Sequence, residues 1–160
     1  MRTAEDLLRA KGGGAGKMIR VAPETKIQQA LKVMVLHKIG AVLVEDAGEI
    51  VGIWTERDLL RNALAEGFDP WQTKVGAVMS TGLVDVAWDD SVYRLMDKFL
   101  GLRLRHLLVK KDGVYIGLLS IGDALKAALQ EKSVELEALH SMVSWEYHEE
   151  WRWHGQAAAV

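Results

Sequence analysis

Two short patterns in this chain place a hydroxyl three positions ahead of a carboxylate. They are Thr55-Glu-Arg-Asp58 and Ser120-Ile-Gly-Asp123, and each follows a β-prone run and precedes a helical pattern. A carboxylate offers two oxygens and can accept two hydrogen bonds at once. A hydroxyl beside the free amides of a helix start suits an anion such as phosphate. The same spacing is also a capping box, which stabilises a helix start with no ligand present. The two readings are compatible, because an empty site can cap itself.

Other chemistry finds less support. The chain has no cysteine, so disulfides, thiolate zinc sites and cysteine nucleophiles are excluded. The stretch Gly12-Gly-Gly-Ala-Gly16-Lys17 invites a phosphate-loop reading, but Lys11 stands where the first loop glycine belongs. Met18 replaces the Ser or Thr that would hold magnesium, so a helix stop is the better reading. Near the C-terminus, Trp145, Tyr147, His148, Trp151, Trp153 and His154 mingle with Glu146, Glu149 and Glu150. No His-Glu-x-x-His occurs there, and no metal site is expected. An aromatic face packed on another subunit, on a partner or on the chain's own body fits better. No nucleophile–base pair is recognisable, and no catalytic residue is expected: the chain reads as a non-enzyme.

The elements that must carry the two patterns form a repeat. Val21–Glu66 aligns with Val86–Glu131 without a gap, with identities at Val21/Val86, Ala22/Ala87, Val44/Val109, Gly48/Gly113, Gly52/Gly117, Asp58/Asp123, Ala63/Ala128, Leu64/Leu129 and Glu66/Glu131. Ile27, Ala30, Leu31 and Met34 fall on Val92, Leu95, Met96 and Phe99, each set at helical spacing. Thr25 and Asp90 stand where N-caps are expected. Apolar runs follow at 41–44 and 106–109, then turns at Asp46-Ala47-Gly48 and Lys111-Asp112-Gly113, then β-prone runs at 50–55 and 115–120. Second helices are expected over 56–66 and 121–132. The predicted fold is α/β (α+β): two β-α-β-β-α units packed sheet to sheet with pseudo-twofold symmetry. The expected divisions are an N-terminal helix and glycine linker (1–16), repeat 1 (17–66), an ordered linker (67–85), repeat 2 (86–132) and an aromatic C-terminal helix or tail (133–160).

Val75-Gly-Ala-Val-Met79-Ser80-Thr81, Arg105-His106-Leu107-Leu108-Val109 and Gly117-Leu118-Leu119-Ser120-Ile121-Gly122-Asp123 resemble the second half of a CBS-domain pair, or Bateman module. Ile39–Val44 and Gly52-Ile53-Trp54-Thr55-Glu56-Arg57-Asp58 resemble its first half. The likeness runs from about Lys17 to Lys132. It implies a regulatory module that binds adenosine ligands in two clefts between the repeats: AMP, ADP, ATP, NAD(H) or S-adenosylmethionine. On this reading Asp58 and Asp123 accept from ribose hydroxyls, Thr55 and Ser120 serve phosphate, and Ile53 and Leu118 wall an adenine ring.

The clefts are not expected to be equal. Repeat 2 carries Arg105 and His106, where repeat 1 has Gly40 and Ala41. The resemblance assigns Arg105 and His106 to the ligand held by Thr55 and Asp58, leaving the cleft of Ser120 and Asp123 without that help. A solvated charge for Arg105 and a half-buried structural role for His106 are the alternatives. The net charge of −2 and pI of 6.2 argue against nucleic acid. No stretch resembles a membrane span or signal peptide, so a cytoplasmic protein is expected. A homodimeric nucleotide sensor is the leading function. A structural or protein-interaction module with degenerate sites, working through dimerisation and its aromatic tail, is the alternative.

Overall fold

The computed structural model describes residues 1–11 and 18–156, with side chains through 140. The glycine stretch 12–17 and the aromatic, histidine and glutamate side chains of 145–154 therefore lie outside what is described. The elements are α1 (Ala4–Ala10), β1 (Arg20–Val21), α2 (Ile27–His37), β2 (Ala41–Asp46), β3 (Glu49–Thr55), α3 (Glu56–Ala63), α4 (Val75–Val78), β4 (Asp85–Ala87), α5 (Val92–Gly101), β5 (His106–Lys111), β6 (Val114–Ser120) and α6 (Ile121–Gln156). Two three-stranded sheets form, ordered β1-β2-β3 and β4-β5-β6, each with one parallel and one antiparallel pair.

The repeat is visible in the smallest details of these sheets. Both hairpins close on two residues at positive φ, Ala47 (49°) with Gly48 (85°) and Asp112 (49°) with Gly113 (82°). These are the torsions that match the twist of the flanking strands. Both hairpins slip register at the same place, between Val44 and Glu45 and between Val109 and Lys110. Lys38 and Arg103, matched in the alignment, both take left-handed φ just beyond their helices.

Each half has its own core. Ile27, Ala30, Met34, Val42, Val44, Trp54 and Val75 form one. Val86, Val92, Leu95, Phe99, Leu107, Val109 and Leu119 form the other, joined by Leu7 and Leu8 of α1. Because side chains alternate along a strand, Leu43 and Leu108 point away from these cores. They are buried too, at 0% and 2% exposed. Leu108 walls a cavity that both repeats line.

The N-caps of α2 and α5 are Lys26 and Ser91, one residue later than the expected Thr25 and Asp90. Ser91 accepts from the Arg94 amide at 3.4 Å, while Asp90 turns back to accept from the Ala87 amide. Lys26 has no acceptor of its own, and the Gln29 side chain accepts from its amide instead. The second helix of repeat 1 ends at Ala63, short of Glu66. Its counterpart does not stop at Lys132 but runs on to Gln156. No glycine or proline interrupts that stretch before Gly155, so nothing in it breaks the helix.

Residues 1–11, which the repeat alignment leaves outside, dock onto repeat 2 as the linker docks onto repeat 1. Val75 N–H donates to Thr25 O, Gly76 N–H to Pro23 O, and Ile27 N–H to Thr73 O. On the other side Ala4 N–H donates to Asp90 O, Glu5 N–H to Trp88 O, and Val92 N–H to Arg2 O. A Cβ on Gly52 would strike Met79, and one on Gly117 would strike Leu8. Thus α1 stands to repeat 2 as α4 stands to repeat 1.

Candidate functional site

Thr55 ends β3 and opens α3. Its amide and its hydroxyl both donate to Asp58 Oδ2 at 2.9 Å, and its Oγ1 accepts from the Asp58 amide at 3.3 Å. Ser120 and Asp123 repeat this at the start of α6, at 2.8, 2.7 and 3.3 Å. Both patterns are therefore working capping boxes. A third, Thr3 with Asp6, has the same distances as the first at the start of α1. The motif alone does not mark a site, since Asp6 is merely a surface cap.

Surroundings separate the three aspartates. Asp58 is 7% exposed and is the one buried charged residue among those described. Its second oxygen, Oδ1, has only a loose approach from Arg61, at 3.5 Å. It faces a cavity of about 200 Å³ whose walls come from both repeats. Thr55, Asp58, Ile53, Arg105, His106 and Leu118 all line this one cavity. The grouping of Thr55 and Asp58 with Arg105 and His106 is thus realised in space. Leu118 stands across from Ile53 in the same cavity, rather than serving a cleft of its own.

Three further arginines line the cavity, Arg57, Arg61 and Arg103. With Arg105 they set four permanent positive charges against Glu56 and Asp58. Arg57 and Arg61 flank Asp58 on the first turns of α3, a placement legible in the sequence once Asp58 is singled out. Arg103 owes its position to the left-handed turn after α5, and its carbonyl accepts from Arg57 at 3.5 Å. Ser80 and Gly82 of the linker complete the wall, and Ser80 pairs with Ile53 through both backbone bonds, at 2.9 and 3.0 Å.

His106 is half-buried at the head of β5. Burial, reinforced by the Lys11 ammonium and Arg105, holds its pKa below the usual 6.5 against the pull of Glu56 and Asp123. Its imidazole is neutral near pH 7 and can donate or accept, rather than adding a fifth charge.

Ser120 and Asp123 lie apart from this cavity. Asp123 Oδ2 takes a third donor, the Lys11 ammonium at 2.7 Å. Burial opposes ionisation of Asp123, but Lys11 and Ser120 outweigh it and keep the carboxyl below its usual 3.8. Lys11 also donates to Leu118 O at 3.3 Å. Among the described residues no group of three or more His, Asp or Glu gathers as a metal site would require. No described helix is long and apolar enough to cross a membrane.

The CBS domain profile matches residues 16–65 and 75–130. The chain belongs to the CBS-domain family. It is 34% identical over 151 residues to the mitochondrial CBS domain-containing protein CBSX3 of Arabidopsis thaliana, covering 91% of this chain and 73% of that one. Among solved structures it resembles the CBS-domain containing protein ATU1752 of Agrobacterium tumefaciens, with 36% identity, a TM-score of 0.73, and coverage of 79% of this chain and 99% of that one. It also resembles CBSX2 solved in complex with AMP, with 26% identity, a TM-score of 0.68, and coverage of 82% and 99%. CBS-domain proteins are in general regulatory modules rather than enzymes. The expected tandem CBS fold, with two sheets and flanking helices, is the fold observed.

Proposed function

We propose that this CBS-domain chain is a regulatory, non-catalytic sensor of an adenine nucleotide, bound in the cavity of Asp58. The observation that carries the reading is the pairing of a buried, capped carboxylate with four arginines across one cavity. Asp58 presents Oδ1 to a ribose diol. Ile53 and Leu118 sandwich the adenine. Arg105 and the neighbouring arginines take the phosphates, and His106 adds a neutral hydrogen bond. CBSX2, a structural likeness, is solved with AMP, which favours this ligand class. AMP, ADP, ATP, NAD(H) and S-adenosylmethionine remain the candidates to compare.

The sensor is proposed as a homodimer. Leu60 on α3 and Leu64 at its C-cap are 70% and 90% exposed, and their counterparts Leu125 and Leu129 on α6 are 47% and 63% exposed. Two helices thus present matching apolar pairs to solvent, as a self-complementary interface would. Ligand binding would shift the arrangement of repeats or subunits through its differential affinity for the two arrangements, and a partner protein would read the shift. The proposed compartment is the cytoplasm; the plant relative is named as mitochondrial, so fractionation of cells expressing the chain is the check.

The test is calorimetric titration of nucleotide-stripped protein with each candidate ligand, with Asp58→Ala alongside. One ligand should bind at micromolar concentration and lose at least about tenfold in affinity on Asp58→Ala, since hydrogen bonds to a charged group contribute about 1.5–3 kcal/mol. No heat from any ligand at millimolar concentration contradicts the sensor reading.

A further inference from the structure

The two halves mirror each other through the backbone bonds that dock α4 and α1, and through Met79 and Leu8 over their glycines. The mirror breaks one step later, at the clefts. In repeat 1 the chain leaves α4 extended, so that Ser80 pairs with Ile53 and Gly82 lines an open cavity. In repeat 2 the helix α1 persists through Ala10, and Lys11 follows as its C-cap. The Lys11 ammonium lies on the aspartate, at 2.7 Å, and on the Leu118 carbonyl, at 3.3 Å, whose counterpart at Ile53 accepts from the Ser80 amide instead.

We propose that Lys11 sets the nucleotide stoichiometry of this protein by acting as a resident counter-ion that closes the second cleft, so that one nucleotide binds per chain. The inference rests on the nucleotide reading of the first cleft. Its physics is competition for a single carboxylate. Asp123 Oδ2 already holds the Ser120 amide, the Ser120 hydroxyl and the Lys11 ammonium, which saturates it. A ribose diol that reaches for this carboxylate meets the ammonium already on it and must first remove a charge-assisted bond. Asp58 asks for no such exchange, because Arg61 stands off at 3.5 Å and its side chain is 68% exposed. Nor does repeat 1 reward the exchange, since Gly40 and Ala41 replace the Arg105 and His106 that line the first cleft. The lysine therefore excludes ligand from Asp123, although the bonds that hold this aspartate match those of Asp58.

The experiment counts binding events. AMP is titrated calorimetrically into the full chain, into Lys11→Met, and into Lys11→Met/Asp123→Ala. Methionine keeps the length and apolar stem of lysine and removes the ammonium. Lys11 is about half exposed, and Leu7 and Leu8 still anchor α1. The wild-type chain is expected to bind one AMP. Lys11→Met is expected to bind two, and the double variant one. The event shared by all three is the fold control. Two sites in the wild-type chain, with one lost in Lys11→Met, would overturn the proposal and make Lys11 a phosphate ligand. One site in both wild type and Lys11→Met would overturn it by showing the second cleft closed for another reason. No binding in any of the three would instead refute the nucleotide reading itself, and the proposal with it.

Discussion

The two halves of this protein share a backbone down to the torsions of their hairpins, yet they differ in the charged side chains around their matched aspartates. At the hinge between the last strand and the second helix, both halves hold an aspartate by the same three bonds. In one half that aspartate faces a cavity walled by both repeats and rimmed by arginines; in the other it borders a cavity walled by α1 and α6 and is paired with a lysine. The core beneath differs as well. Trp54 is fully buried and donates its indole N–H to Asn62 at 3.0 Å, where the other half packs Leu119 beside Ala127 with no polar pair. Duplication fixes the scaffold, because the sheet register and the turns leave little latitude. It leaves the side chains around each cleft free to diverge.

The largest break in the comparison should come from these matched core residues. Trp54→Ala is expected to cost about 3–5 kcal/mol and Leu119→Ala about 2–5 kcal/mol. The tryptophan variant should be the worse of the two, because it also strands the half-buried Asn62 side-chain carbonyl. Equilibrium denaturation measures both, and equal losses would deny the indole bond its share. Smaller effects are expected at the matched glycines. Gly52→Ala and Gly117→Ala each drive a Cβ into a side chain, Met79 or Leu8, and overpacking of this kind costs about 1–3 kcal/mol. The Gly52 Cβ would also come within 3.2 Å of the Ser80 carbonyl oxygen, which as backbone cannot swing aside, so Gly52→Ala should be the more damaging.

His106 sharpens the comparison through pH. Its counterpart Ala41 cannot titrate. The folded state resists protonating His106, chiefly through burial, while the unfolded chain takes the proton near 6.5. Between those two values the unfolded state binds more protons, so stability is complete above about 6.5 and declines as pH falls below it. His106→Gln should flatten this decline, and the denaturation midpoint followed from pH 7.5 to 5.5 is the measurement. The smallest effect belongs to the hairpins. Ala47 holds a left-handed φ that asparagine tolerates better, so Ala47→Asn should stabilise by up to about 1 kcal/mol, whereas Asp112→Asn should be nearly neutral. A melting series of the two variants would show it.

Much of this was legible in the sequence because it is local or repeated. The hairpins announce themselves by Ala47-Gly48 and Asp112-Gly113, the helices by their apolar spacing, and the aspartates by their place at the strand ends. The Arg105–His106 asymmetry also stood in the alignment. The N-caps missed by one residue because Lys26 lacks an acceptor and borrows one from Gln29, which spacing rules do not anticipate. Arg57, Arg61 and Arg103 were not singled out, since exposed arginines carry no pattern until a cavity gathers them. Least legible was Met1–Lys11. It shares the docking bonds of Thr73–Met79 without sharing its sequence, and Lys11 meets Asp123 only through the fold. The fusion of the last helix was readable from the lack of any breaker after Lys132, but the end of the repeat suggested a boundary there.

The half containing Asp58 is proposed to hold the nucleotide, and the half containing Asp123 is proposed not to. The most direct measurement is AMP affinity by calorimetry for Asp58→Ala and Asp123→Ala side by side with the unaltered chain. At least about a tenfold loss is expected for Asp58→Ala and no more than about a twofold change for Asp123→Ala. A loss confined to Asp123→Ala, or equal in the two, would contradict the proposal.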